Sequence, residues 1–156
     1  MLVAALQLGP AAPTITETAD RILALVEKAG AAGVTLAVLP ELALTPYFAA
    51  EVHEDLTPFV NPEENQTAID AIAARAAQFG MALVLPFAEQ NNAGLYNSMS
   101  FIDNKGSRVG TFRKMHIPGQ VDPKADAPIT ILEKRYFLPG DLGFAVHDLG
   151  QSRSAG

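Results

Sequence analysis

Three short and almost wholly apolar runs constrain the fold of this chain most. They cover residues 2–8, 34–39 and 81–85, and each is followed directly by Gly or Pro. A strand exposed on one face would alternate apolar and polar side chains, whereas these runs hardly alternate. The pattern predicts three buried strands of an α/β sheet that is covered on both faces.

Two amphipathic segments separate these runs. Thr14 and Glu17 have the spacing of a capping box, and Asn61 followed by Pro62 is typical of a second helix start. Apolar residues then recur at helical spacing, and Gly80 ends the second segment. Two crossovers of the same hand place both helices on one face of the sheet. The other face therefore needs a layer that these elements do not supply.

The second half of the chain predicts a hairpin followed by a long loop. Residues 96–101 and 108–112 are strands joined by the turn signal of residues 103–106. Residues 115–142 are rich in Pro and Gly and show no clear periodicity. A loop of that length inside a compact domain is usually functional or disordered. Residues 144–147 are interpreted as a last strand.

Charge and composition exclude several classes of function. The chain has 11 Lys and Arg against 17 Asp and Glu, a net charge of −6, and no basic run. We therefore expect no nucleic-acid partner and no binding to an anionic membrane. The absence of cysteine excludes disulfides and thiolate metal sites within the chain. The N-terminus lacks the basic residues of a signal peptide, and no apolar run has transmembrane length, so we expect a cytoplasmic protein.

Charged residues at the ends of predicted strands are candidates for chemistry. Glu41 follows an apolar run and Pro40, where partial burial would raise its pKa and suit a general base. The alternative is an ordinary surface or capping glutamate. Lys114 follows another strand and has the charge to stabilise an oxyanion, although an edge-strand lysine is the simpler interpretation. Taken alone, Glu133 indicates a charged surface segment, and His116 a structural histidine.

The order of these motifs resembles the nitrilase, or carbon–nitrogen hydrolase, family. The similarity rests on Pro40-Glu41, on Tyr96-Asn97-Ser98, on Gly110 to Pro118 and on Glu133 to Phe144. The last segment is most similar to the N-carbamoyl-D-amino-acid amidohydrolase branch. The resemblance covers residues 2–148 but only about the first half of a family member. It implies an α/β fold that is half of a four-layer αββα sandwich, with residues 149–156 as a polar tail of an incomplete domain.

The resemblance also implies roles for individual residues. Glu41 would be the general base, Lys114 the oxyanion stabiliser, and Glu133 a second glutamate that orients the site. Four further residues are expected to bind substrate: Tyr47, Phe48, Asn97 and His116. The family chemistry implies no cofactor and no metal. Its substrate would be a small amide or a carbamoyl compound, and the full-length protein would be a homo-oligomer.

The family nucleophile is a cysteine, and this sequence contains none. Ser152 and Ser154 do not lie in the motif of the nucleophile. We therefore expect an amidase-type carbon–nitrogen hydrolase whose cysteine half is missing, so that this chain alone is inactive. The alternatives are an inactive remnant, a half-domain that associates with a partner chain, and an unrelated small α/β binding domain.

Overall fold

The fold is taken from a computed structural model that describes residues 1–125 and 130–150. The predicted order of the first five strands and the two long helices is confirmed, and the described residues add a 3₁₀ turn and a short helix. The elements are β1 Val3–Ala5, α1 Ile15–Ala31, β2 Leu36–Val38, the 3₁₀ turn Phe48–Ala50, α2 Pro62–Ala77, β3 Ala82–Asn91, β4 Gly94–Ile102, β5 Arg108–Arg113 and α3 Glu133–Tyr136.

The strands form one five-stranded sheet in the order β1-β2-β3-β4-β5. The first two pairs are parallel, and the last two are antiparallel hairpins. Parallel neighbours need crossover connections, which α1 and α2 provide, whereas hairpins need only tight turns. The α/β class expected from the sequence is therefore confirmed.

Both predicted helix starts are confirmed by their capping bonds. The Thr14 side chain accepts from the amide of Glu17, and the Asn61 side chain accepts from the amides of Glu63 and Glu64. These bonds satisfy donors that have no partner inside the helix. The caps fix where each helix begins over the sheet.

One apolar core lies between the two helices and one face of the sheet. β3 sends Leu83 and Leu85 into this core, where they meet Ile22 of α1 and Ile72 of α2, and all four are fully buried. Burial of each such side chain contributes roughly 1.5–3 kcal/mol. Because successive strand residues face opposite ways, the alternate residue Val84 faces away from the helices.

The opposite face of the sheet is apolar and incompletely covered within the described residues. We call it the open face, and its members include Val38, which is 37% exposed, and the partly buried Val84, Met99 and Phe112. It is the face for which the sequence predicts a missing layer.

The strand predicted at residues 144–147 is wrong. This segment crosses part of the open face through ring contacts, with Phe144 stacked on Phe112 at 5.7 Å and His147 against Phe101 at 4.6 Å between centroids. Phe144 remains 81% exposed, so the segment lacks the buried side of a strand. Ser152 and Ser154 lie outside the described residues. No helix in the described part of the chain has the length and apolarity needed to cross a membrane.

Candidate active site

Glu41 lies at the carboxyl end of β2, on a turn with unusual backbone geometry. β2 ends at Val38, two residues before Pro40, and the residue after Glu41, the buried Leu42, has a φ of 50°. A leucine in the left-handed region costs about 1–2 kcal/mol, so packing must impose this conformation. The amide of Ala43 donates to the carbonyl of Pro86 at 3.0 Å and ties the turn to β3.

Asn97 of β4 and Lys114, the residue that follows β5, lie side by side. The amide of Lys114 donates to the carbonyl of Asn97 at 2.8 Å, which extends the pairing of β4 with β5 by one step. By strand alternation, both side chains share the open face with Met99 and Phe112. The end of this hairpin therefore brings an amide and an ammonium group next to Glu41.

Glu133 is the first residue of α3 and is 2% exposed, so it is not the surface residue that its segment alone indicates. The amide of Leu132 donates to the carbonyl of Ala49 at 2.7 Å, and the amide of Leu138 donates to that of Leu95 at 2.8 Å. These bonds dock the short helix against the rest of the fold. They place the buried Glu133 carboxylate at the same end of the sheet as Glu41.

Five side chains from these segments form one hydrogen-bonded group, which we call the carboxylate–lysine cluster. Lys114 Nζ lies 2.8 Å from Glu41 Oε1 and 2.8 Å from Glu133 Oε2. Asn97 Nδ2 donates to Glu41 Oε1 at 2.6 Å, and Tyr47 Oη donates to Glu133 Oε1 at 2.8 Å. With both glutamates ionised, the cluster holds two negative charges and one positive charge.

Lys114 and Asn97 control the ionisation of Glu41. Burial raises the pKa of Glu41, but hydrogen bonds from Lys114 and Asn97 and the Lys114 charge outweigh it, so the pKa lies below its ordinary value. The sequence predicts a raised pKa for Glu41. This prediction is wrong, because the sequence alone does not show that Lys114 contacts this carboxylate. Burial lowers the pKa of Lys114, but Glu133 and Glu41 outweigh it, so this pKa is raised. Burial and Glu133 raise the pKa of Tyr47.

The two carboxylates differ in how many of their oxygens are occupied. Tyr47 and Lys114 take one oxygen each of Glu133, which leaves this buried group fixed. Glu41 receives Lys114 and Asn97 on the same oxygen, and its Oε2 has no hydrogen bond to the described residues. The Glu41 side chain is also 49% exposed. Glu41 is thus the more accessible of the two carboxylates.

A cavity of about 390 Å³ adjoins the cluster on the open face. Glu41, Asn97 and Lys114 form its polar side. The rest of its wall is mostly apolar: Val38, Leu39, Val84, Pro86, Met99 and Phe112. Such a combination of an apolar wall and a few convergent polar groups is typical of a small-molecule site.

The four residues predicted to bind substrate lie in different surroundings. Asn97 lines the cavity, whereas the Tyr47 hydroxyl is bonded to Glu133. Phe48 is 3% exposed, packs on Phe59 in a second apolar core and is not part of the cavity wall, so its contact with substrate stays a prediction. His116 lies on the loop after Lys114 and is exposed. The described residues contain no group of three or more side chains suited to a metal ion.

Sequence reasoning missed a second charged cluster on the other face of the hairpin. Arg113 lies next to Lys114 in the chain, and it binds Glu89 and Asp141 instead of the residues of the candidate site. The alternation of side chains along a strand was the available signal, because consecutive residues face opposite sides of a sheet.

The sequence matches the profile of the family described as Carbon-nitrogen hydrolase over residues 2–155. A match of this extent shows that the chain belongs to the carbon–nitrogen hydrolase family. The candidate site therefore lies within the part of the chain that matches this family.

Two curated relatives and one solved structure illustrate the similarity. The chain is 35% identical over 122 residues to an N-carbamoylputrescine amidase of Arabidopsis thaliana, covering 78% of this chain and 38% of that protein. It is 32% identical over 150 residues to a nitrilase of Pyrococcus abyssi, covering 95% of this chain and 51% of that protein. A carbon-nitrogen hydrolase of Helicobacter pylori G27 superposes with a TM-score of 0.74 at 30% identity, over 91% of this chain and 46% of that one. The chain spans about half or less of these proteins.

Proposed function

We propose that the carboxylate–lysine cluster is the acid–base part of a hydrolase site that cleaves N-carbamoyl amino acids or related small amides. The observation that carries this proposal is the Lys114 ammonium, held 2.8 Å from each of two carboxylates beside an open cavity. The relative named for N-carbamoylputrescine supports a carbamoyl group as the reacting part of the substrate.

The geometry supports a separate role for each charged residue. Glu41 is ionised at neutral pH and has one oxygen without a partner among the described residues, so it is suited to accept a proton from a nucleophile. Lys114 stabilises negative charge on the substrate oxygen as the tetrahedral intermediate forms. Glu133 accepts from Lys114 and Tyr47 and holds the ammonium in place.

The proposed reaction uses a thiolate that these 156 residues do not contain. Its sulfur bonds to the carbamoyl carbon while Glu41 takes the thiol proton. The bond between that carbon and the terminal amino group then breaks as Glu41 passes the proton to the amino nitrogen, which leaves as ammonia. Water, deprotonated by Glu41, then cleaves the carbon–sulfur bond of the intermediate. The carbamate that is released breaks down to carbon dioxide and the free amino acid. This chain alone is accordingly proposed to be inactive.

The second candidate is an inactive half-domain that associates with a partner chain. The open face favours it, because Val3 and Val38 are 50% and 37% exposed on strands whose other side is covered by helices. An apolar surface of this kind is a site of association. The cytoplasmic location and the homo-oligomeric state expected from the sequence stay predictions, which fractionation of source cells and the solution mass would test.

The test is to assemble the chain with a half that supplies the thiol. The chain is co-expressed with the part of the Pyrococcus abyssi nitrilase that it does not cover, and that part is first shown by thiol titration to carry a free thiol. The complex is isolated by size-exclusion chromatography. We expect the complex to release ammonia from N-carbamoyl amino acids or small amides. Glu41→Gln should lower that rate by roughly 100-fold or more, because general base catalysis contributes at least that factor.

Two controls make this test decisive. Glu54→Gln removes an exposed glutamate outside the cluster and should leave the rate unchanged. An isolated complex that releases no ammonia from any of these substrates would reject the proposal and favour the half-domain. Equal rates for wild type and Glu41→Gln would reject the role of Glu41.

A further inference from the structure

Arg113, the last residue of β5, and Lys114, the next residue, have side chains on opposite faces of the sheet. Lys114 joins the carboxylate–lysine cluster, whereas the side chain of Arg113 lies on the face that also carries Ser98 and Glu89. The register explains this division, since Ser98 pairs with Arg113 across the two strands and with Phe87 on its other side. One peptide bond therefore links the residue that contacts Glu89 to the residue of the carboxylate–lysine cluster.

Arg113 is held by a dense set of contacts for a residue near the surface. Its Nε and Nη2 bind both oxygens of Glu89 at 2.9 and 2.5 Å, and its guanidinium lies 4.1 Å from the ring centroid of Tyr96. Ser98 Oγ also donates to Glu89 at 2.6 Å. A bidentate arginine–carboxylate pair is geometrically specific, and the arginine side chain here is only 13% exposed.

The third contact of Arg113 reaches the segment that carries Glu133. Nη1 lies 2.8 Å from Asp141 Oδ1, and the adjacent amide of Gly140 donates to the carbonyl of Lys114 at 2.9 Å. The approach is close, because a Cβ atom on Gly140 would lie 2.1 Å from the Arg113 carbonyl oxygen. The segment 133–141 is thus held at both ends. Glu133 binds Lys114 on one face of the sheet, and Asp141 binds Arg113 on the other.

We propose that Glu89, Arg113 and Asp141 form a latch that positions Glu133, and through it Lys114, in the candidate site. Arg113 and Asp141 are positioning residues in this account, since their contacts reach the cluster through the backbone of Lys114 and the segment 133–141. Only the catalytic role of the latch rests on the proposed function. The geometry of the latch can be measured without any turnover.

The experiment uses the whole chain with Asp141→Asn, which removes one charge of the latch at an exposed side chain. We expect the protection of the Leu138 amide against hydrogen exchange to fall about threefold or more, because an exposed ion pair contributes modestly. We also expect the ¹⁵Nζ–H signal of Lys114 to shift or broaden, as its contact with Glu133 loosens. Asp141→Glu, which keeps the carboxylate, should restore both readouts.

Glu27→Gln is the matched control, because it breaks the exposed Glu27–Arg75 pair between the two helices, at 2.6 Å. It should leave the Leu138 amide and the Lys114 signal unchanged. If the Leu138 amide exchanges faster in Asp141→Asn but the Lys114 signal is unchanged, the ion pair only holds the segment 133–141 to the surface. That result would overturn its role in positioning Lys114. An unchanged Leu138 amide, or an equal effect of Glu27→Gln, would overturn the latch. Neither result depends on ammonia release, so the proposed function is tested separately.

Discussion

At the scale of single residues, Lys114 connects the two carboxylates of the candidate site. Its ammonium satisfies the buried Glu133 and holds Glu41 in its ionised form. A buried carboxylate is stable only when it is paired and hydrogen-bonded. The same lysine thus supports the local fold and sets the charge of the proposed general base.

This dependence predicts the effect of Lys114→Met on its neighbour. Without the ammonium, burial becomes the dominant effect, and the pKa of Glu41 should rise from below its ordinary value of 4.5 to above it. The measurement is the pH titration of the Glu41 side-chain carboxyl carbon by NMR. Lys105→Met, in the hairpin turn, is the control and should leave the titration unchanged. A Glu41 pKa that stays low in Lys114→Met would contradict the assigned cause.

At the scale of elements, local signals determine where the helices begin. The Asn61 side chain accepts from two amides at the start of α2, at 3.1 and 3.2 Å. These bonds depend on a few neighbouring residues, and so the sequence predicts them well. The helix in turn covers the sheet behind the candidate site.

Removal of this cap should destabilise the protein measurably. Asn61→Ala should lower the free energy of unfolding by about 1 kcal/mol, since the alanine cannot accept from the first-turn amides. Urea unfolding monitored by circular dichroism is the measurement. Asn92→Ala, at an exposed position of the β3–β4 turn, is the control. Equal stability of Asn61→Ala and wild type would show that the cap bonds contribute nothing.

The sequence predicts most of the elements and three residues of the candidate site. It does not predict the burial or the pKa of residues whose surroundings come from distant segments of the chain. Glu41, Lys114 and Glu133 were identified from motifs, and the structure brings all three together. The adjacent aromatic residues Tyr47 and Phe48 could not be told apart, because a loop has no periodicity to show which one is buried. The pKa of Glu41 depends on a lysine 73 residues away in the chain, and short-range patterns do not contain that contact.

At the scale of the whole molecule, acidic residues with lowered pKa values link stability to pH. Burial raises the pKa of Glu89, but hydrogen bonds from Arg113 and Ser98 and the charge of Arg113 outweigh it and lower this pKa. Lys114 and Asn97 lower the pKa of Glu41 in the same way. A carboxyl with a lowered folded pKa binds fewer protons in the folded chain than in the unfolded chain. The contribution of such a carboxyl to the free energy of unfolding is present above its unfolded pKa of about 4.5. It is lost as the pH falls through the pKa of the folded chain.

The free energy of unfolding should therefore fall as the pH drops below about 4.5. Glu89→Gln should be less stable than wild type at neutral pH and should lose less stability on acidification, because one of the linked carboxyls is gone. Urea unfolding across this pH range measures both effects. Parallel pH dependences for the two proteins would contradict a lowered pKa at Glu89.

The open face makes a separate prediction about association. Val38→Lys places a charge on this apolar surface and should reduce self-association of the isolated chain, because a charged side chain resists burial in an interface. Val52→Lys changes a valine that is 46% exposed and lies outside the sheet, and it should have no such effect. Sedimentation velocity measures both. Equal association of the two variants would show that the open face is not the contact surface.

The most direct test of the central claim is ammonia release, with and without a thiol block. The 156-residue chain and the protein purified from its natural source are assayed side by side on N-carbamoyl amino acids and small amides, before and after iodoacetamide. We expect no release by the chain alone, and release that iodoacetamide abolishes wherever this sequence is joined to a cysteine-bearing remainder. Ammonia release by the chain alone that resists iodoacetamide and is lost in Glu41→Gln would contradict this expectation.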